Sequence, residues 1–109
     1  LDNLQSYIIQ KEIEFFDNGR RVLLGYICKI GNVVFCSGTF IAKSNHIYGT
    51  IDSEFRPTNK IYLRGNIDTT TITIGTAGIE LDTDGVLKTT SPYPDALIPS
   101  FSAMWFSNT

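Results

Sequence analysis

The feature that most limits what this chain can fold into is its punctuation. Runs rich in Ile, Val, Thr, Tyr and Phe are cut by Gly or Asp-Gly at intervals of roughly eight to twelve residues, the pattern of an all-β sandwich or barrel. Strands are predicted over 22–30, 33–42, 46–51, 60–67, 70–74, 79–82, 86–89 and 103–107. In "TTTITIG", Ile72 and Ile74 share one face and Thr71 and Thr73 the other, as expected of a strand with one buried side. "TDGV" at 83–86 is an Asp-Gly hairpin signal in which Gly85 supplies positive φ. "GTAG" at 75–78 reads as a second tight reversal, which would make 70–90 a meander of three short strands.

A chain of 109 residues is long enough for one core without staples. Its 42% hydrophobic and 18% charged content describes an ordered globular domain. Nine basic and eleven acidic residues are dispersed, so the basic face that nucleic-acid binding requires is missing from the pattern. The longest apolar stretch, "VLLGYICKI", is far short of the roughly 20 residues of a membrane span, and no membrane insertion is expected. The chain begins with Leu1 and has no signal-peptide pattern, which suggests a fragment of a longer protein with an upstream segment.

Cys28 and Cys36 flank the turn signal Gly31-Asn32. A two-residue hairpin there sets Cys28 opposite Phe35 and Cys36 opposite Ile27, on different faces, where no disulfide can form. A three-residue loop with a bulge would instead place the two cysteines across from each other. Free buried thiols, acting as small hydrophobes in a reducing compartment, are the expected state, and no Asn-x-Ser/Thr sequon argues for secretion.

The first twenty residues differ from the rest. "YIIQKEIEFF" fits both a helical face and an entering strand; lacking a capping box and closed by "DNG", it is expected to be extended, the end of a neck joining an upstream stalk. The domain proper would then be 21–109. "SPYPDALIPSF", with three prolines, is an irregular connection to the final strand.

Signals for catalysis are nearly absent. The single histidine, His46, has no nucleophile elbow, phosphate loop or zinc motif around it, so no catalytic residues and no cofactor are expected. Glu80, Asp82 and Asp84 alternate along one strand face but lack the offsets of a calcium loop, so no metal site is assigned. As ionised carboxylates, Asp82 and Asp84 could hold sugar or glycerol hydroxyls. Saccharide sites combine an aromatic ring with a few convergent polar groups, and His46, Tyr48, Tyr62, Arg56, Arg64 and Trp105 supply those types. Trp105 lies between Met104 and Phe106 in a strand, which suits a core role equally well. The arginine forks suit phosphate or carboxylate.

Several short motifs, taken in order, resemble a known family. They are Gly38-Thr39-Phe40, Phe55-Arg56-Pro57, Ile61-Tyr62-Leu63, Thr73-Ile74-Gly75, Gly78 and the closing aromatic strand 103–106. Over 22–107 this order resembles the C-terminal head domains of receptor-binding proteins on tailed phages of Gram-positive bacteria, the lactococcal siphophage heads most of all. The resemblance implies a small antiparallel β-barrel or sandwich, assembled as a homotrimer at a fibre tip on the virion and joined to upstream stalk and baseplate proteins. It implies non-enzymatic recognition of host cell-wall saccharides, often phosphate-bearing, at shallow sites. Such heads line the site with His, Asp, Arg and Trp; here His46 and Asp52 are close in sequence, whereas the only tryptophan, Trp105, stands near the chain end. The candidate ligand-binding residues are therefore His46, Tyr48, Asp52, Arg56, Arg64, Asp82, Asp84 and Trp105, with aromatics such as Phe15, Phe16 or Phe101 expected at the trimer axis. A structural trimerisation or baseplate module without receptor contact is the alternative.

In "GTIDSEFRPTNKIYLR" (49–64), Pro57 cannot donate to a ladder and biases Arg56 toward an extended conformation. "SEFRPTN" is thus a loop in which Phe55 is expected to plug the core, leaving Asp52, Arg56 and Arg64 to meet a ligand.

Overall fold

The computed structural model describes residues 8–68, 73–90 and 98–108, with side chains for all of these except 64–68 and 73–77. The described chain is all-β apart from one 3-10 turn. Its strands are β1 (Ile8–Asp17), β2 (Arg20–Ile30), β3 (Val33–Phe40), β4 (Ile47–Thr50), β5 (Ile61–Asp68), β6 (Thr73–Leu81), β7 (Val86–Lys88) and β8 (Ser100–Phe106). They form one antiparallel sheet in the order β1-β2-β3-β8-β5-β6-β7-β4. The sheet curls until its edge strands β1 and β4 face each other, with the Phe15 ring against Gly49, giving a small sandwich around one core. Among the described residues no ladder joins β1 to β4, so the barrel is not closed.

The curl has a local cause. Ile13, Gly25, Gly38, Phe101 and Gly65 lie in one cross-strand row, and a Cβ on Gly25 would sit 2.7 Å from the Ser37 carbonyl oxygen. Paired glycines let neighbouring strands approach and bend, and in the same row Phe101 is buried in the core, its ring 5.9 Å from that of Phe40. Phe101 is therefore a core residue, which corrects its expected place at a trimer axis. Phe15 is partly buried against the core, and only Phe16 of that trio is exposed.

Other expectations meet the structure variously. Ile8–Asp17, extended as expected, is hydrogen-bonded along its length to β2. The β2–β3 hairpin turns at Gly31-Asn32 and pairs Cys28 with Phe35 and Ile27 with Cys36, so both thiols are free. The reversal at 75–78 is overturned: Gly75 and Gly78 lie inside β6, opposite Ile67 and Arg64 of β5. Glycine here weakens a strand without ending it, because β5 supplies a continuous ladder. One long strand replaces two short ones, and the three-strand meander becomes β6 and β7 around the Asp82–Gly85 turn, where Gly85 has φ 86°. Residues 69–72 and 91–97, which include Thr71, Ile72 and most of the proline-rich connection, lie outside the described residues. Among the described residues no helix is long and apolar enough to cross a membrane.

Candidate functional site

The corner between β4 and β5 is a single 3-10 turn, Ser53–Phe55, closed by Phe55 N–H donating to the Asp52 carbonyl at 3.0 Å. Arg56 leaves it extended (φ −68°, ψ 138°), as the following proline demands. Phe55 is buried beneath the corner, which matches the expected plug. The C-terminal strand then fastens three successive carbonyls from below. Ser107 Oγ donates to Glu54 O at 2.8 Å, Trp105 Nε1 to Phe55 O at 2.7 Å, and Asn108 N–H to Arg56 O at 3.0 Å.

That arrangement decides the role of Trp105. Its ring is 5% exposed and its one N–H is spent on the Phe55 carbonyl, so it supports the site from inside and presents no face to a ligand. Tyr48 is corrected in the same way. It is buried edge-on against Phe40, its hydroxyl donates to the Ile41 carbonyl and accepts from Lys43 N–H, and no polar group remains for a saccharide. His46 packs edge-on against Tyr48 at 4.9 Å, and its backbone is bonded to Thr89 on both sides. The length of β4, about 13 Å, separates His46 from Asp52, so their closeness in sequence does not make one site. The Arg64 side chain lies outside the described residues.

Asp52, Arg56, Asp82 and Asp84 do come together. Ile51 N–H donates to Gly85 O at 2.9 Å, which docks the β6–β7 turn beside the corner. Within that turn Asp82 Oδ1 accepts from Thr83 N–H at 3.0 Å and Asp84 Oδ1 from Val86 N–H at 3.1 Å. Both carboxylates thus shape the turn and keep an oxygen for a further donor. Arg56 lies across Gly85: a Cβ there would come within 2.9 Å of Nε and 3.2 Å of Cγ. Its Nε is buried without a hydrogen-bond partner.

Sequence reasoning missed two cations, one paired with Asp52 and the other beside Asp82. Lys11 on β1 pairs with Asp52 across the seam between the sheet edges, and that contact raises the lysine above its ordinary range by hydrogen bonding and charge attraction. Lys60 stands 3.9 Å from Glu80 and 4.0 Å from Asp82. Under the Lys11–Asp52 clasp lies a cleft of about 160 Å³ floored by Ile13, Phe15, Ile27, Ile51 and Phe55. A cavity near 150 Å³ holds a molecule about the size of benzene, so this cleft takes one small unit and no extended chain. Lys11 was hidden because 1–20 read as an entering segment, although Lys11, Ile13 and Phe15 alternate. Lys60 was hidden by the false reversal at 75–78, which concealed the register that sets Ile61 opposite Leu81.

Among the described residues no group of three His, Cys, Asp or Glu could hold a metal ion. No protein-family model matches the chain, and no curated protein matches it.

Proposed function

We propose that this domain is the head of a phage receptor-binding protein, carried as a homotrimer at the tail tip of the virion, and that it holds a phosphate-bearing cell-wall saccharide at the seam. The observation that carries the reading is Arg56. A guanidinium braced over Gly85, with a buried and unsatisfied Nε–H, is a donor held out of water without an acceptor. Such a group favours an incoming anion, and the planar fork suits phosphate or carboxylate. Asp52, Asp82 and Asp84 beside it supply acceptors for hydroxyls, and the apolar floor of the cleft takes a carbon skeleton. A shallow site of this size is sufficient when several copies act together, because effective concentration multiplies weak contacts.

The test is titration of the domain with glycerol phosphate at millimolar concentration, followed by amide chemical shifts. Shifts should centre on residues 52–57 and 82–85. Arg56→Ala should weaken binding tenfold or more, since charge-assisted hydrogen bonds contribute roughly 1.5–3 kcal/mol. His46→Ala, at the far end of β4, should leave binding unchanged. No response at the corner in the wild-type domain would sink the reading and favour a structural baseplate module.

A further inference from the structure

The outer face of β2, β3 and β8 carries side chains that a solvated sheet does not ordinarily expose. Register aligns them in rows: Ile30, Val33 and Phe106; Cys28, Phe35 and Met104; Tyr26, Ser37 and Ser102. Tyr26 is 63% exposed, Met104 61%, Phe106 58%, Ile30 45% and Phe35 44%. None of the nine residues in these rows is charged. β1 extends the first row with Ile8 and bounds the third with Glu12.

We infer that this face is where copies of the chain associate with one another, with Phe35 and Met104 at the centre of the contact. Area is the first argument. Large side chains of 150–250 Å², each about half exposed, leave on the order of 600 Å² of apolar surface on one copy. That is the upper end of what a monomer shows, roughly 300–600 Å². Two such faces together reach the lower bound of a specific interface, about 1,200 Å². Charge is the second. A foreign partner selected by electrostatic complementarity would meet charges here, and the central rows have none. A lipid surface would call for an excess of lysine or arginine at the rim, whereas β1 offers Glu12 and Glu14, and the arginine beside them, Arg21, is 3.6 Å from Glu14 and balances it. A second copy presents the same uncharged rows and needs nothing else. Only the stoichiometry, three chains around one axis, rests on the head reading above.

Sedimentation velocity of this chain from 10 to 200 µM, alongside Phe35→Lys and Met104→Lys, tests the assignment. The wild-type chain should associate, and each lysine should weaken association tenfold or more while far-UV circular dichroism stays unchanged. If Phe35→Lys fails to fold, Met104→Lys decides. Maleimide labelling of the half-buried Cys28 gives a second readout and should slow as concentration drives assembly. A wild-type monomer throughout, or an oligomer indifferent to both lysines with Cys28 labelling unchanged, overturns the inference. So does a monomer that instead pellets with phosphatidylcholine vesicles. A dimer dissolved by either lysine keeps this face and removes the threefold head. An oligomer without any response to glycerol phosphate keeps the face and removes the saccharide site.

Discussion

Val34 and Phe35 are neighbours in β3, yet one is fully buried and the other nearly half exposed. The same contrast runs through Ile27 against Tyr26 in β2 and Trp105 against Met104 in β8. Over 33–36 and 103–106 both faces are apolar, but only one is covered by the curl of the sheet. In an ordinary antiparallel sheet the wet face is polar, and the alternation tells inside from outside. Here that alternation fades over 33–36 and 103–106, and the distinction there comes from tertiary structure: the sheet bends in one direction, and the face on the concave side becomes the core.

The most severe test of that contrast compares Phe40→Ala with Phe35→Ala in urea unfolding. Both variants are made in a Met104→Lys background, so that association does not contribute to stability. Phe40 is buried against Tyr48 and Phe101, and its truncation should cost about 3–5 kcal/mol. Phe35 should cost no more than about 0.5 kcal/mol, as surface substitutions do. Comparable losses at the two positions would mean that the outer face is covered within the chain, and the comparison would fail.

A smaller effect is expected at the corner. Trp105→Phe keeps a ring in the core and removes the N–H that satisfies the Phe55 carbonyl. Leaving that buried acceptor bare should cost about 1–3 kcal/mol. Because Ser107 and Asn108 still hold the adjacent carbonyls, the domain should stay folded, with faster amide exchange over residues 53–57. A stability change below a few tenths of a kcal/mol would show that the indole N–H does not fasten the corner.

What was legible in the sequence was what depends on near neighbours. Pro57 fixes the backbone of Arg56 through sterics alone, and the Phe55-Arg56-Pro57 corner was read correctly for that reason. The cysteine register followed from counting across a two-residue turn. The Asp-Gly turn before Val86 carries its own positive-φ requirement. Other features depended on distant partners. Gly75 and Gly78 stay in a strand because β5 lies beside them, and no local rule separates such glycines from a turn pair. Trp105 and Tyr48 carry the side-chain chemistry of a saccharide site but are claimed by the carbonyls of Phe55 and Ile41, a fact of packing alone. Asp52 and Arg56 were legible as candidates because their loop is polar and exposed. Lys11, which pairs with Asp52, and Lys60, which stands beside Asp82, became visible only with the register of strands β1 and β6.

The covered face also holds a thiol. Cys36 points into the core, and burial pushes its pKa up to about 12. In the unfolded chain the same thiol should ionise near its ordinary value, 9.0. Below that pH both states carry the proton and Cys36 contributes no pH dependence. Above it the unfolded state loses a proton that the folded state keeps, so stability falls as pH rises toward 12. The slope from this one group approaches but does not exceed about 1.4 kcal/mol per pH unit, and near pH 9.5 the loss should be about 1 kcal/mol. Tyrosines and lysines also titrate in this range, so the quantity to measure is a difference: urea unfolding of the wild type and of Cys36→Ala at pH 7.5 and 9.5. The variant will be less stable at pH 7.5, because it leaves a small cavity beside Ile27 and Val34, but the gap should narrow by about 1 kcal/mol at the higher pH. A gap that does not narrow would mean that Cys36 is not shielded inside the curl of the sheet, and the division of the hairpin into an inside and an outside would fail.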